Sequence, residues 1–152
     1  MESFVVFNLD ELRMALALPA VERVVRAVYF SQLPDAPQIV LGVVNVQGRV
    51  IPVVNMRKRF RLPDRETALT DRLVIAQTIR RTVALAVDSV AGVVEYPGPA
   101  LVGAGDILPG LEYVTGVAKL DDGLIFIHDL DRFLSLDEEE TLDRALATAG
   151  GR

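Results

Sequence analysis

No cysteine occurs in the 152-residue chain, which excludes a disulfide framework, a thiolate zinc site, an iron–sulfur cluster and a cysteine nucleophile. A reducing cytosol is therefore the expected compartment. The first ten residues, Met1 to Asp10, also lack the basic region, apolar stretch and small-residue cleavage site of a secretory signal. Long hydrophobic runs are missing too. The tracts at 39–46 and 83–94 are interrupted by Gly42 and Asn45, and by Asp88 and Ser89, and neither reaches the ~20 residues that span a bilayer. No direct membrane insertion is expected, and any membrane association must come through a partner.

Aromatic residues make up only 6% of the chain, tryptophan is absent and the formal net charge is −5. These scarcities argue against nucleic acid, which small barrels bind with cationic grooves and stacked aromatics. The one feature in its favour is the basic cluster Arg57, Lys58, Arg59 and Arg61 around Phe60, which reads instead as a charged rim at a protein contact.

Catalytic apparatus is equally sparse. The single histidine, His128, ends a strand that alternates Ile125 and Ile127 against Phe126 and His128, and reads as a structural or surface histidine rather than as a base or ligand. Gly103-Ala104-Gly105 begins like a dinucleotide fingerprint, but Leu108 takes the third glycine position and Pro109 follows. The acidic run Asp137 to Glu140 suits the first turn of a helix better than a metal cage. No catalytic residue, metal ligand or cofactor site is assigned, and the chain is not read as an enzyme.

What is abundant is short apolar segments. With 51% hydrophobic and 24% charged residues the chain has ample surface to bury, and it is short enough for one domain or two small lobes sharing a core. Ten runs have strand length and β-branched character: 4–9, 14–18, 21–25, 39–46, 49–54, 73–79, 83–87, 90–95, 114–120 and 124–128. Asn45-Val46-Gln47-Gly48-Arg49 is the clearest hairpin, and Asp122-Gly123 offers a second tight turn. Pro52 predicts an edge strand or a bulge, since proline cannot donate to a ladder. Short helical turns are expected at 56–60 and 129–134. Ser135-Leu136-Asp137-Glu138 has capping-box spacing for a C-terminal helix over about 136–148, with Leu142, Ala145 and Leu146 on its apolar stripe and Glu139, Glu140 and Asp143 mostly facing away.

The chain also resembles itself. Gly42 to Met56 aligns without gaps on Gly116 to Leu130, an offset of 74 (116 minus 42), and Met14 to Val21 aligns on Val83 to Val90, an offset of 69 (83 minus 14). Two matched segments in the same order predict an internal duplication. The fold class is accordingly all-β with short helices: two small β-barrels packed together as subdomains of one domain over 1–152, divided roughly into 4–65 and 70–134, with strand exchange between them left open.

The stretch Leu33 to Arg57, with Val87-Asp88-Ser89-Val90, Tyr113-Val114-Thr115-Gly116 and His128-Asp129-Leu130, resembles the chemotaxis coupling protein (CheW) family over nearly the whole chain. The resemblance implies two SH3-like, five-stranded barrels and a non-catalytic adaptor between a membrane chemoreceptor's cytoplasmic tip and the regulatory domain of a chemotaxis histidine kinase. It would act in the cytoplasm, at receptor arrays on the inner face of the membrane. The alternative is a CheW-like interaction module of another two-component or motility pathway with altered kinase coupling. Partner contacts carry over to Glu22, to Gly42, Asn45, Gln47 and Gly48 in the signature hairpin, to Arg57 after it and to Gly116. Val21 and Val24, beside Glu22, are expected to line a shallow apolar groove. One departure stands out: the family pattern commonly has Asn-x-Arg-Gly at this turn, and Gln47 replaces its arginine, removing a charge and a forked donor set.

Overall fold

The computed structural model describes residues 2–27, 30–96, 113–120 and 123–150. Asp121 and Asp122 of the second tight turn, and the glycine pair at 103 and 105, lie outside the described residues. Among these residues ten strands and two α-helices follow in the order β1 (Glu2–Leu9), β2 (Leu12–Ala17), β3 (Val21–Arg26), β4 (Val40–Val46), β5 (Arg49–Val54), α1 (Met56–Arg59), β6 (Arg72–Gln77), β7 (Thr82–Val87), β8 (Ser89–Tyr96), β9 (Val114–Leu120), β10 (Gly123–His128) and α2 (Leu136–Gly150). Single 3-10 turns precede β3 and follow β10.

These strands build two five-stranded sheets, ordered β8-β1-β2-β10-β9 and β3-β6-β7-β5-β4. The two orders are the same when each strand of the first half is exchanged for its repeat in the second, β1 for β6, β2 for β7 and so on. Registers agree as well. The parallel pair Ile127↔Ala15 becomes Val53↔Ala84 at the two sequence offsets. The ladder irregularity that skips Ala91 opposite Val6 and Phe7 recurs as the one that skips Glu22 opposite Ile75 and Ala76. The one that skips Thr115 recurs at Leu41. Bulges are local kinks in pairing, so their coincidence in both sheets ties the repeat to backbone geometry rather than to general apolarity. The sheets do not follow the halves 4–65 and 70–134. Strands β3 to β7 supply one, and β1 and β2 together with β8 to β10 supply the other, because each repeat's first hairpin pairs with strands of the opposite repeat.

That exchange explains why the strands read as nearly continuous apolar runs. Side chains alternate faces along a strand, and both faces are covered over the middle of β1, β2, β6 and β7 and the second halves of β5 and β10, whereas β3 and β8 hold no buried residue. Phe4, Val6, Ala15, Ala118, Ile125 and Ile127 fill one barrel, and Val44, Val46, Ile51, Val53, Leu73, Ile75 and Ala84 fill the other. The intervening residues, among them Phe7, Leu9, Met14, Leu16, Val74, Leu85 and Phe126, form the large cluster between the barrels, joined by Leu142 and Ala145 of α2. Burying such side chains contributes on the order of 1.5–3 kcal/mol each, so the shared layer, not either barrel alone, holds the lobes together.

Two local expectations are corrected. Pro52 is not on an edge strand, since β5 lies between β7 and β4. It is tolerated because β7 pairs only with Val53 and Val54, leaving Pro52 past the end of that ladder. Glu139 does not face away from the fold. It is buried and bonded by Arg81 Nε at 2.9 Å, and Arg81 also pairs with Asp143. The capping box at the start of α2 forms as its spacing predicts: Glu138 N donates to Ser135 Oγ at 3.1 Å and Ser135 N donates to Glu138 Oε1 at 2.8 Å.

Candidate functional site

The β4–β5 hairpin closes through Gln47 (φ 53°) and Gly48 (φ 83°), the pair of positive φ values that a two-residue type I′ turn requires. Asn45 Oδ1 accepts from Gly48 N at 2.9 Å and fixes the turn. Gln47 therefore sits at the exposed tip of a rigid loop. Just past it, Arg49 pairs with Glu22 of β3, and that guanidinium holds the Glu22 carboxyl below the usual carboxylate range. Glu22 is the residue skipped by the β3–β6 ladder, so the bulge turns an acidic side chain toward the hairpin. Exposed apolar residues flank the bridge: Val24, two positions beyond Glu22, is 39% exposed and Val50, beside Arg49, is 61% exposed. The structure thus brings Glu22 to the hairpin that carries Asn45, Gln47 and Gly48, and leaves Val24 exposed two positions further along β3, opposite Val74 of β6. Val21 is half-buried against the inter-barrel core.

Gly42 lies lower on β4, where residues 30–31 cross the strand. Ser31 and Val43 exchange backbone hydrogen bonds of 2.9 and 2.7 Å, and a Cβ on Gly42 would stand 2.3 Å from the Ser31 carbonyl oxygen. Glycine is required there by close backbone approach. Gly42→Ala is expected to cost about 1–3 kcal/mol in urea unfolding, as for other overpacked sites, and a loss below about 0.5 kcal/mol would mean that the crossing segment swings aside freely. Gly116, its repeat equivalent, is buried in β9 of the other sheet, away from this hairpin.

Arg57 is buried, not presented to solvent. Its guanidinium donates to Asp10 at 2.6 and 3.0 Å, to both oxygens of Asp88 at 2.9 Å and to the Pro63 carbonyl at 3.1 Å. Asp88 accepts in addition from Asp10 N at 2.7 Å and from Arg65 at 2.6 Å, and Arg65 reaches on to buried Asp71. Burial alone would raise the Asp88 pKa, but the Asp10 amide and the two guanidinia overcome it and hold the carboxyl below its ordinary range. Asp10 lies in the β1–β2 turn, and Asp88 sits where the chain passes from one barrel to the other, so Arg57 fastens the two lobes.

The duplication adds a second face. Val24 and Val50 correspond, at the offsets of 69 and 74, to Val93 and Leu124, which are 57% and 41% exposed on β8 and β10. Each barrel carries an exposed apolar pair at matching places. Val93 and Leu124 carry a readable signal that was missed, since large aliphatic side chains at the same two repeat positions stay outside both covered layers. Asp10, Arg65 and Asp71 carry no comparable signal, because the network draws them from separate segments.

Comparison with known proteins places this geometry. A CheW-like domain model matches residues 3–138. The chain is similar to the crystal structure of scaffolding protein TtCheW from Thermoanaerobacter tengcongensis, with a TM-score of 0.82 and 28% identity over 90% of this chain and 94% of that one. Chemotaxis protein CheW of Thermotoga maritima is 28% identical over 84% of each chain, and that of Rhizobium meliloti is 29% identical over 72% of each.

Proposed function

The chain belongs to the CheW family of chemotaxis scaffolds, and from that premise we propose that it couples the cytoplasmic tip of a membrane chemoreceptor to the regulatory domain of a chemotaxis histidine kinase, without catalysis of its own, in the cytoplasm beside receptor arrays. The observation that carries this reading is the rigid face around the Glu22–Arg49 bridge with exposed Val24 and Val50. A few apolar anchors ringed by polar groups are what a protein contact needs. The matched pair on the other barrel, Val93 and Leu124, supports a molecule that holds partners on two sides at once. Among the described residues no helix is long and apolar enough to cross a membrane, which fits recruitment through the receptor.

Gln47 favours a second reading, a module with altered kinase coupling. Arg49, the neighbouring cation that could replace the family's arginine, is paired with Glu22 across the exposed surface, so meeting a partner would require it to give up that weak bridge. A charged hydrogen bond at a partly buried contact is worth ~1.5–3 kcal/mol against ~0.5–1.5 for a neutral one. Gln47→Arg is therefore expected to tighten binding to a standard kinase regulatory domain by up to ~1–2 kcal/mol, roughly 5- to 30-fold, with the melting temperature nearly unchanged because residue 47 is exposed. Calorimetric titration of both variants, with Glu22→Lys tested against the receptor tip in parallel, decides between the readings. If Glu22→Lys binds the tip as well as the native chain does, the receptor assignment to this face fails. Equal or weaker kinase binding by the arginine variant would remove position 47 from kinase recognition.

A further inference from the structure

The basic cluster at 57–61 does not form one patch. Arg57 turns inward to Asp10 and Asp88, while Lys58, Arg59 and Arg61 line an open cleft of about 280 Å³ with Gln38, Ile39, Tyr113 and Glu138. Charge in the cleft is unbalanced. The only carboxylate lining it among the described residues, Glu138, is committed to Arg59 at 2.5 Å and to the capping box, and Arg59 is packed over the Tyr113 and Phe133 rings. Lys58 donates to the Gln38 amide oxygen at 3.1 Å, and neither Lys58 nor Arg61 has a carboxylate partner among the described residues. Arg59 Nε is buried with no partner among the described residues, which leaves one more donor in the same cationic group.

Arg61 is held there against local preference. Leu62 N bonds to Arg57 O at 2.8 Å and Arg61 N to Lys58 O at 3.2 Å, the two bonds of a Schellman motif closing α1. Arg61 occupies the left-handed position of that motif, at φ 58°, where glycine is favoured and other residues are strained. The carbonyls at the end of α1 are already satisfied by these backbone bonds, so the cations are not needed as caps. A strained cation beside an unpaired lysine in a concave polar cleft is an arrangement suited to an oxyanion.

We propose that this cleft binds a compact dianion, a phosphoryl group or a dicarboxylate, between Lys58 and Arg61, with Arg59 as the fixed floor of positive charge. The site is separate from the hairpin face and does not depend on which partners that face takes.

The test is titration of the full chain with inorganic phosphate and with succinate at constant ionic strength, chloride serving as control, followed by amide chemical shifts and calorimetry. Saturable binding with shifts centred on Gln38, Lys58 and Tyr113 is expected. Binding should weaken at least tenfold in Lys58→Gln and in Arg61→Gly. The second variant separates binding from folding: relieving the left-handed strain should raise the melting temperature by roughly 2–4 °C while affinity falls. A response to phosphate alone identifies a phosphoryl ligand, and a response to succinate alone identifies a carboxylate ligand. Absence of saturable binding by either anion, or unchanged affinity in both variants, overturns the site.

Discussion

Replacing His128 with leucine should stabilise the protein, by a margin that widens as the solution is acidified from neutrality. The imidazole is almost wholly buried between the rings of Phe60 and Phe133, at centroid distances of 5.4 and 5.0 Å, and neither nitrogen has a hydrogen-bond partner among the described residues. Burial pushes its pKa down from 6.5 to about 3. A base with a depressed folded pKa binds its proton more readily when unfolded, so native stability is lost as pH falls from about 6.5 toward 3. The linkage amounts to about 2 kcal/mol at pH 5 and approaches about 4–5 kcal/mol near pH 3. At neutral pH the unpartnered N–H still costs on the order of 1–3 kcal/mol, which leucine removes at similar volume. Val54 occupies the equivalent place in the other repeat, is fully buried, and shows that the fold accepts an aliphatic residue there. Urea unfolding of both variants between pH 4 and 8 checks this. Parallel stability curves would mean that the imidazole is solvated or hydrogen-bonded after all.

The same histidine shows what the chain makes legible. Alternation of Ile125 and Ile127 against Phe126 and His128 can be read from the residues, and the structure places the isoleucines inside one barrel and Phe126 in the layer between barrels. What alternation does not reveal is which element covers the second face, and so a buried histidine and a half-exposed one look alike. Strand exchange is hidden for a related reason. Because β1 and β6 are repeats, as are β2 and β7, either first hairpin presents a similar apolar pattern to either set of three following strands. Pairing is then chosen by the connections: only Leu18-Pro19-Ala20 separates β2 from β3, and only Asp88 separates β7 from β8. Arg57, Lys58, Arg59 and Arg61 are adjacent in sequence but have separate fates, since a short helix closed by a tight turn points successive side chains in different directions. The turn at Gln47 and Gly48 and the capping box at Ser135 were legible because both ends of each interaction lie within four residues. The network through Asp10, Arg57, Arg65, Asp71 and Asp88 was not, because its members meet only after the sheets assemble.

That network supports the second large effect. Arg57→Ala should cost about 2–4 kcal/mol. Removing one partner of a buried ionic cluster typically costs ~3–5 kcal/mol by stranding the remaining charges, and the 39% exposure of the Asp10 side chain lets water recover part of that. Arg57→Lys should recover little, because one ammonium cannot supply the planar forked set that meets Asp10, Asp88 and Pro63 together. Adding Asp10→Asn and Asp88→Asn to Arg57→Ala should restore part of the loss, since the stranded carboxylates are then gone. Binding measurements separate this role from a direct partner contact. A fastening residue lowers the melting temperature and weakens receptor and kinase binding together, as the lobes lose their fixed relation. A contact residue weakens one partner and leaves unfolding untouched. If Arg57→Ala keeps its full stability while losing kinase affinity alone, the arginine acts at the interface and the buried network is not what holds the barrels in place.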